Sequence, residues 1–172
     1  MKIPKKAFTL RARLITLSDR AYRGVYPDSS GSRLKELLED YCAGKRWKAQ
    51  IEAEVMPDEA RRLRKALKAA IRGGVDVVIT TGGTGMGPRD ITPETVAGVA
   101  EKLVPGIMEH IRVKFGAKRP EARLSRSVAA VAGKTQIYAL PGSTRAVEEY
   151  MGEILKTLEH AIHMLHGRDV HR

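Results

Sequence analysis

A run of apolar residues followed by a cluster of glycines constrains this chain more than any other segment. Residues 77–79 are β-branched and uninterrupted, which is typical of a strand buried on both faces of a parallel sheet. Four glycines then follow within six positions, namely Gly82, Gly83, Gly85 and Gly87. Because glycine has no Cβ, a bulky anion can approach the backbone N–H groups of such a loop. The segment therefore predicts a buried strand that ends in an anion-binding loop.

The glycine loop matches neither of the two common phosphate-binding motifs. It lacks the Gly-Lys-Ser/Thr ending of a P-loop, and it lacks the Gly-x-Gly-x-x-Gly spacing of a dinucleotide-binding fold at a first strand. A flexible connection between a strand and a helix is the alternative interpretation. The buried strand before the loop, together with Thr80, Thr81 and Thr84, favours an anion site.

Size and composition predict one cytoplasmic domain. The 172 residues lie within the range of a single domain of about 100 to 200 residues, and no Gly/Ser-rich or Pro-rich linker divides them. We expect one domain over residues 1–172, with a basic N-terminal extension over about residues 1–9. No apolar stretch approaches the roughly 18 residues that span a bilayer, and the basic start contains no signal-peptide core. A single cysteine, Cys42, also argues against a secreted, disulfide-stabilised fold.

The net charge of +11 predicts an anionic partner, which leaves nucleic acid, nucleotides and phosphorylated small molecules as alternatives. Aromatic residues make up only 5% of the chain, so the stacking platforms of single-strand binders are poorly supplied. Nucleic-acid binding is supported by charge alone. We therefore expect a small-molecule anion, with neither nucleic acid nor membrane as a partner.

The periodicity of apolar residues predicts strands that alternate with helices. Strands are expected over residues 11–17, 51–55, 75–81, 127–132 and 136–140. The helices are expected to begin at Ser32 or Gly31, at Pro57-Asp58-Glu59, at a Thr92 cap and at Ser143. Residues 21–30 read as a loop, and the helical pattern after Thr92 continues through Val104 and, beyond Pro105, to Phe115. Such alternation predicts an α/β fold with three α/β/α layers and a mostly parallel sheet.

Polar residues follow several of these strands at the end where the strand stops. In parallel sheets, ligands bind at the carboxyl ends of the strands. Four separate segments are expected there: Ser18-Asp19, Asp58, the glycine loop with Asp90, and residues 140–143. We therefore predict a single site at one edge of the sheet.

Two carboxylates, Asp58 and Asp90, are the strongest candidates for chemistry, because each lies between a strand and a helix. Asp58 precedes a helix directly, so N-capping is its alternative role. If both face a polyphosphate, they are suited to hold Mg²⁺, which prefers one or two carboxylates plus phosphate oxygens. Asp19 and Asp28 flank the first loop, where turn formation and ligand contact are equally plausible.

Several further residues are candidates for anion contact. Ser143 precedes a helix and either caps it or touches an anion at its N-terminus. Arg89, Arg123 and Arg126 are candidate anion clamps, although any one arginine of so basic a chain is more often simply solvated.

Taken together, these motifs resemble the MogA/MoaB family of molybdenum-cofactor biosynthesis proteins, specifically the molybdopterin adenylyltransferases. The resemblance extends over about residues 10–167. It rests on five motifs in order, namely Ser18-Asp19-Arg20 with residues 24–31, Pro57-Asp58-Glu59, Thr81-Gly82-Gly83-Thr84-Gly85 with Arg89-Asp90 and Thr92-Pro93-Glu94, Leu124-Ser125-Arg126, and Leu140-Pro141-Gly142-Ser143.

The resemblance implies a molybdopterin-binding-like fold, a homotrimer, and transfer of AMP from Mg-ATP to the terminal phosphate of molybdopterin with release of pyrophosphate. It implies that Asp58 and Asp90 are the catalytic and Mg²⁺-binding acids. The substrate-binding residues that it implies, together with the acids and polar groups noted above, are Ser18, Asp19, Asp28, Thr81, Gly82, Gly83, Thr84, Gly85, Arg89, Ser125, Pro141, Gly142 and Ser143. It also implies contact with other proteins of molybdenum-cofactor biosynthesis. A trimer that binds molybdopterin without catalysis, as expected of some MoaB-type members, is the alternative.

Overall fold

The computed structural model describes residues 8–167. Of the predicted N-terminal extension, residues 1–7 lie outside the described residues, and Thr9 already begins the first strand. Six strands are present in this range: β1 (Thr9–Leu17), β2 (Lys48–Met56), β3 (Val77–Thr81), β4 (Lys102–Leu103), β5 (Val128–Ala132) and β6 (Thr135–Leu140). The helices are α1 (Asp19–Tyr22), α2 (Ser29–Gly44), α3 (Ala60–Arg72), α4 (Thr92–Ala97), α5 (Pro105–Gly116) and α6 (Thr144–Leu165), and a 3₁₀ helix spans Pro120–Leu124.

The six strands form one sheet in the order β2-β1-β3-β6-β5-β4. The first four in this order are parallel to one another, whereas β5 runs antiparallel to both of its neighbours, β6 and β4. A two-residue turn at Gly133, with φ of 57°, joins β5 to β6. The prediction of a mostly parallel sheet is confirmed, and the antiparallel pairing of β5 with β6 follows from this short turn, which leaves no room for a crossover helix.

Helices cover both faces of the sheet, as the predicted three-layer fold requires. On one face, α2, α5 and α6 pack over Leu14, Ile79 and Tyr138. On the other face, α3 and α4 pack over Ile15 and Val78. Neighbouring residues of β1 and of β3 thus point to opposite cores, because side chains alternate along a strand. The five residues of β3 are all buried, as expected for a central strand.

The loop predicted over residues 21–30 is confirmed over residues 23–28, but its two ends were assigned incorrectly. They form the end of α1 and the beginning of α2. Asp28, rather than Ser32 or Gly31, is the N-cap of α2, because its carboxylate accepts a hydrogen bond of 2.8 Å from the N–H of Gly31. The turn-forming alternative for Asp28 is therefore the one that its contacts support.

The predicted helix after Thr92 also differs from the structure. Ile91 is the N-cap of α4, and Thr92 is its first residue. The helix ends at Ala97 and does not continue to Val104, because the N–H groups of Glu101 and Val104 donate to β5. Strand β4 lies between these residues, so sheet pairing overrides the helical pattern there. Within residues 8–167, no helix has the length and apolar character needed to cross a membrane.

Candidate active site

A cleft of about 740 Å³ opens at the carboxyl ends of β1, β3 and β6. All four segments that were predicted to meet contribute to it, so the expected convergence is confirmed. Its walls include nearly every predicted site residue, namely Ser18, Asp19, Asp28, Asp58, Thr81, Gly82, Gly83, Thr84, Gly85, Arg89, Asp90, Ser125, Pro141 and Gly142. Ser143 is the exception. Its hydroxyl accepts the N–H of Ala146 at 3.2 Å and caps α6, so the structure supports its capping role.

Asp19 and Asp58 form a reciprocal pair at the floor of the cleft. The backbone N–H of Asp19 donates to Oδ2 of Asp58 at 3.1 Å, and the N–H of Asp58 donates to Oδ1 of Asp19 at the same distance. Asp19 begins α1 directly after β1, and Ser18 caps that helix by accepting the N–H of Ala21. The pair therefore joins the ends of two neighbouring parallel strands, β1 and β2.

Capping, the alternative role of Asp58, does not occur. The N-cap of α3 is Glu59, which makes no side-chain cap hydrogen bond, and the carboxylate of Asp58 is turned toward Asp19 instead. The position of Asp58 before α3 favoured a cap. Its carboxylate instead accepts the N–H of Asp19, beyond the end of the neighbouring strand β1, and the sequence does not show that these two residues lie close together. Asp58 is consequently available to the cleft.

The two acids have opposite electrostatic environments. Arg89 donates to Oδ2 of Asp19 at 2.7 Å, and this hydrogen bond, helped by the N–H of Asp58, lowers the pKa of Asp19. Burial raises the pKa of Asp58, because the charged carboxylate loses hydration, and the nearby charges of Asp19 and Asp90 add to the effect. Asp19 therefore favours its charged form, whereas the charged form of Asp58 would be stabilised by a nearby cation.

The glycine loop is held against the neighbouring strand ends. The N–H of Gly82 donates to the carbonyl of Leu140 at 2.9 Å, and the hydroxyl of Thr81 donates to that of Pro141 at 2.8 Å. Gly82 has φ of 104°, and a Cβ there would lie 2.2 Å from the carbonyl oxygen of Leu17. A side chain at this position would therefore force apart β1 and β3.

Asp90 closes the far end of the loop. Its Oδ2 accepts the N–H of Gly87 at 2.7 Å, and a Cβ on Gly85 would lie 2.7 Å from the same oxygen. The carboxylate can lie this close to the loop because Gly85 has no side chain. The glycines thus accommodate Asp90 as well as any ligand, a role that the sequence alone did not suggest.

The remaining candidate residues fall into two groups. Asp28 borders the cleft, but both its oxygens have partners within the chain, since Oδ2 accepts the hydroxyl of Thr16 at 2.7 Å. Arg123 and Arg126 do not border the cleft. Arg126 instead bonds to the carbonyls of Gly85 and Asp90, so the proposal that it clamps an anion directly is not supported.

Several residues of the cleft wall were not among the predicted site residues, and Tyr26, Met86 and Leu124 are examples. The hydroxyl of Tyr26 lies 2.9 Å from that of Ser18, and the exposed side chains of Met86 and Leu124 lie along the same wall. Tyr26 lies within the motif of residues 24–31, and this position was the only indication of a role in the site. Leu124 likewise lies within the motif Leu124-Ser125-Arg126, whereas Met86 carries no polar group that would have marked it.

The residues around the glycine loop have a donor set that suits Mg²⁺. Oδ2 of Asp58 and Oδ2 of Asp90 accept backbone N–H groups, whereas Oδ1 of each carboxylate has no hydrogen-bond partner within residues 8–167. A Cβ on Gly83 would lie 3.4 Å from Oδ1 of Asp58, and one on Gly85 would lie 3.6 Å from Oδ1 of Asp90. Both oxygens therefore face the same loop. Mg²⁺ prefers one or two carboxylates plus phosphate oxygens, so two carboxylate oxygens beside an open glycine loop fit this ion.

Comparison with known proteins identifies the family of the chain. The family described as a probable molybdopterin binding domain matches residues 13–160. The chain belongs to this family. Members of the molybdopterin-binding family that resemble it include the molybdopterin adenylyltransferase of Helicobacter pylori strain J99, which is 33% identical over 92% of this chain and 89% of its own length.

A solved structure of the same family supports both the fold and the predicted resemblance to MogA/MoaB proteins. The molybdopterin biosynthesis Mog protein from Mycobacterium ulcerans has a TM-score of 0.83 and 34% identity, over 95% of this chain and all of that one. The molybdenum cofactor synthesis protein cinnamon of Drosophila melanogaster is 35% identical over 91% of this chain. The chain spans only 26% of the length of cinnamon, so this likeness concerns one part of a larger protein.

Proposed function

We propose that this protein is a molybdopterin adenylyltransferase. A phosphate oxygen of molybdopterin would form a bond to the α-phosphorus of ATP, while the bond from that phosphorus to the bridging oxygen breaks and pyrophosphate leaves. The observation that supports this most directly is the position of Asp58 and Asp90, whose Oδ1 atoms flank the glycine loop at the carboxyl edge of the sheet. The name of the Helicobacter pylori relative supports the same reaction.

Each part of the cleft has a role in this reaction. Asp58 and Asp90 would hold Mg²⁺, which supplies charge neutralisation for the triphosphate. The glycine loop would receive the phosphates, because its missing side chains allow close approach to the backbone. Arg89 keeps Asp19 charged, and the N–H of Asp19 keeps Asp58 in place. Phosphoryl and nucleotidyl transfer depends mainly on such positioning and on electrostatic stabilisation.

A direct test uses molybdopterin, ATP and Mg²⁺ with measurement of released pyrophosphate. We expect the wild-type protein to release pyrophosphate, and Asp90→Asn and Asp58→Asn to lower the rate by at least about 100-fold, since each removes a carboxylate that would hold Mg²⁺ at the reacting phosphates. Asp40→Asn is the matched control, because Asp40 is exposed on α2 and lies outside the cleft. Wild-type protein that binds molybdopterin but releases no pyrophosphate would contradict the proposal and favour the non-catalytic alternative.

We further propose that the protein is a cytoplasmic, single-domain homotrimer that works with other proteins of molybdenum-cofactor biosynthesis. Support for the trimer comes from the family resemblance and from exposed apolar side chains such as Leu103, Val113 and Met164. Light scattering during size-exclusion chromatography should give three times the mass of one chain. A monomeric mass at micromolar concentration would be inconsistent with this assembly.

A further inference from the structure

Four consecutive backbone N–H groups of the glycine loop have no hydrogen-bond partner in the part of the chain that the structure describes. They belong to the residues from Gly83 to Met86. The carbonyl group of each preceding residue is nevertheless bound. Thr92 donates to the carbonyls of Gly82 and Gly83, through its hydroxyl at 2.9 Å and its N–H at 3.0 Å.

Arg126 binds the next two carbonyls. Its backbone N–H donates to Thr84 at 2.9 Å, and its Nε donates to Gly85 at 2.7 Å. Its Nη2 also donates to the carbonyl of Asp90 at 3.0 Å, and its Nη1 pairs with Glu94 at the beginning of α4. One guanidinium thus bonds to both ends of the segment 85–90 and fastens it to a helix.

The planarity of the peptide group links these two observations. In a trans peptide, the carbonyl oxygen and the following N–H point in opposite directions. A bond from Arg126 to the carbonyls of Thr84 and Gly85 therefore turns the N–H groups of Gly85 and Met86 away from Arg126. Because Arg126 does not border the cleft whereas Gly85 and Met86 do, these N–H groups face the cleft side.

We propose that Arg126 is a positioning residue that arranges the N–H groups of Gly85 and Met86 into a binding site for a phosphoryl oxyanion, and that Thr92 does the same for Gly83 and Thr84. This proposal rests on the proposed function, because it assigns the phosphate site of the same reaction. A row of N–H groups that converge on one side of a loop binds anions without any cationic side chain. The charged guanidinium of Arg126 instead pairs with Glu94, on the side of the loop away from these N–H groups.

The planar shape of the Arg126 guanidinium and its positive charge can be tested separately. Lysine keeps the charge of Arg126 but cannot make the two bonds that the planar guanidinium makes to Gly85 and Asp90. If Arg126 acts through the loop, Arg126→Lys and Arg126→Gln should both weaken the binding of inorganic pyrophosphate by about tenfold or more, which corresponds to 1.4 kcal/mol. If its charge attracts the anion directly, Arg126→Lys should bind like the wild type.

The experiment combines calorimetric titration with inorganic pyrophosphate and amide NMR of the full chain. In the wild type we expect the resonances of residues 83–86 to shift as pyrophosphate is added, and in Arg126→Gln the shift of Met86 should be lost, because the side chain of Arg126 binds the carbonyl of Gly85 whereas its backbone N–H binds that of Thr84. Arg64→Gln is the matched control, since Arg64 is exposed on α3 and lies outside the cleft. Unchanged affinity in Arg126→Gln, wild-type affinity in Arg126→Lys, or loop amides that do not shift would each overturn the proposal.

A second variant tests the same idea if Arg126→Gln does not fold. Thr92→Val removes the donor to the carbonyl of Gly82 and leaves Arg126 intact. We expect it to reduce the shift of the Gly83 amide while the Met86 amide still responds, and an undiminished Gly83 shift would contradict the proposal. Since pyrophosphate binding needs no turnover, intact binding without AMP transfer would refute only the proposed enzymatic activity.

Discussion

Asp19 and Asp58 each accept the backbone N–H of the other at 3.1 Å, so two residues that are far apart in sequence fix each other's carboxylates. The pair ties the end of β1 to the end of β2 and leaves Oδ1 of Asp58 toward the glycine loop. The guanidinium of Arg89 also donates a hydrogen bond to the carboxylate of Asp19. The position of Asp58 therefore depends on residues from three separate segments.

Removal of Arg89 should change the titration of both acids. In Arg89→Gln we expect the pKa of Asp19 to rise toward its ordinary value, since the hydrogen bond from Arg89 is the main cause that lowers it. The pKa of Asp58 should rise as well, because the charge of Arg89 partly offsets its burial. Carboxyl NMR titration measures both values. Unaltered titration of Asp19 would show that Arg89 does not hold it.

The ion pair between Arg89 and Asp19 makes the stability of the fold depend on pH. The folded pKa of Asp19 lies below its unfolded value, so the contribution of the pair is present above the unfolded pKa and is lost as pH falls through the folded pKa. The stability difference between the wild type and Arg89→Gln should therefore shrink as the pH falls below about 4. Urea denaturation at a series of pH values measures it, and a difference that grows in acid would contradict this sign.

An alanine at position 85 should displace Asp90. Its Cβ would lie 2.7 Å from Oδ2 of Asp90, closer than real contacts allow, so the carboxylate or the loop has to move. We expect Gly85→Ala to lower pyrophosphate release by about tenfold or more, in line with the cost of misplacing a catalytic group. The control is Gly152→Ala, in the middle of α6 with open space around it, which should raise the free energy of unfolding by about 0.5 to 1 kcal/mol.

Glu153 should stabilise the contact between α5 and α6 in a pH-dependent way. Hydrogen bonds from Lys114 and Lys156, with a further one from His110, lower the pKa of Glu153 to about 2. We expect Glu153→Gln to lower the free energy of unfolding by about 1 kcal/mol at pH 7. Because the folded pKa is depressed, this difference should fade as pH drops from about 4.5 to about 2.

Chemical denaturation at pH 7 and at pH 3 measures the contribution of Glu153. Glu101→Gln is the control, because Glu101 is exposed and makes no ion pair within residues 8–167. Equal stability of the wild type and Glu153→Gln at pH 7 would show that Lys114, Lys156 and His110 contribute nothing net through this carboxylate.

Asp28 should matter for folding more than for binding. Its two oxygens cap α2 and accept the hydroxyl of Thr16, so Asp28→Ala removes a helix cap and leaves a buried hydroxyl without its acceptor. A loss of about 1 to 2 kcal/mol in the free energy of unfolding is expected. Thermal denaturation measures it, and a fully stable Asp28→Ala variant with weakened ATP binding would reverse this assignment.

Much of the fold followed from local pattern. The uninterrupted β-branched run at 77–79 predicted a central strand, and alternating strands and helices predicted the layers. Strand β4 was missed because two residues carry no periodicity, and it forms only because β5 offers free backbone groups alongside it. Asp58 pairs with Asp19, and Arg126 binds carbonyls of the glycine loop. Both depend on contacts between distant segments that spacing along the chain does not encode.

The pairing of β3 with β6 places the loop beside residues that come some sixty positions later, since Thr81 and Gly82 bond to Pro141 and Leu140. Contacts between such distant segments form late, because chain entropy must be lost before they add stability. A chain that extends only as far as α5 lacks Ser125, Pro141 and Gly142, so it lacks part of the cleft wall. The wall of the cleft is therefore complete only when nearly all of the polypeptide has been made.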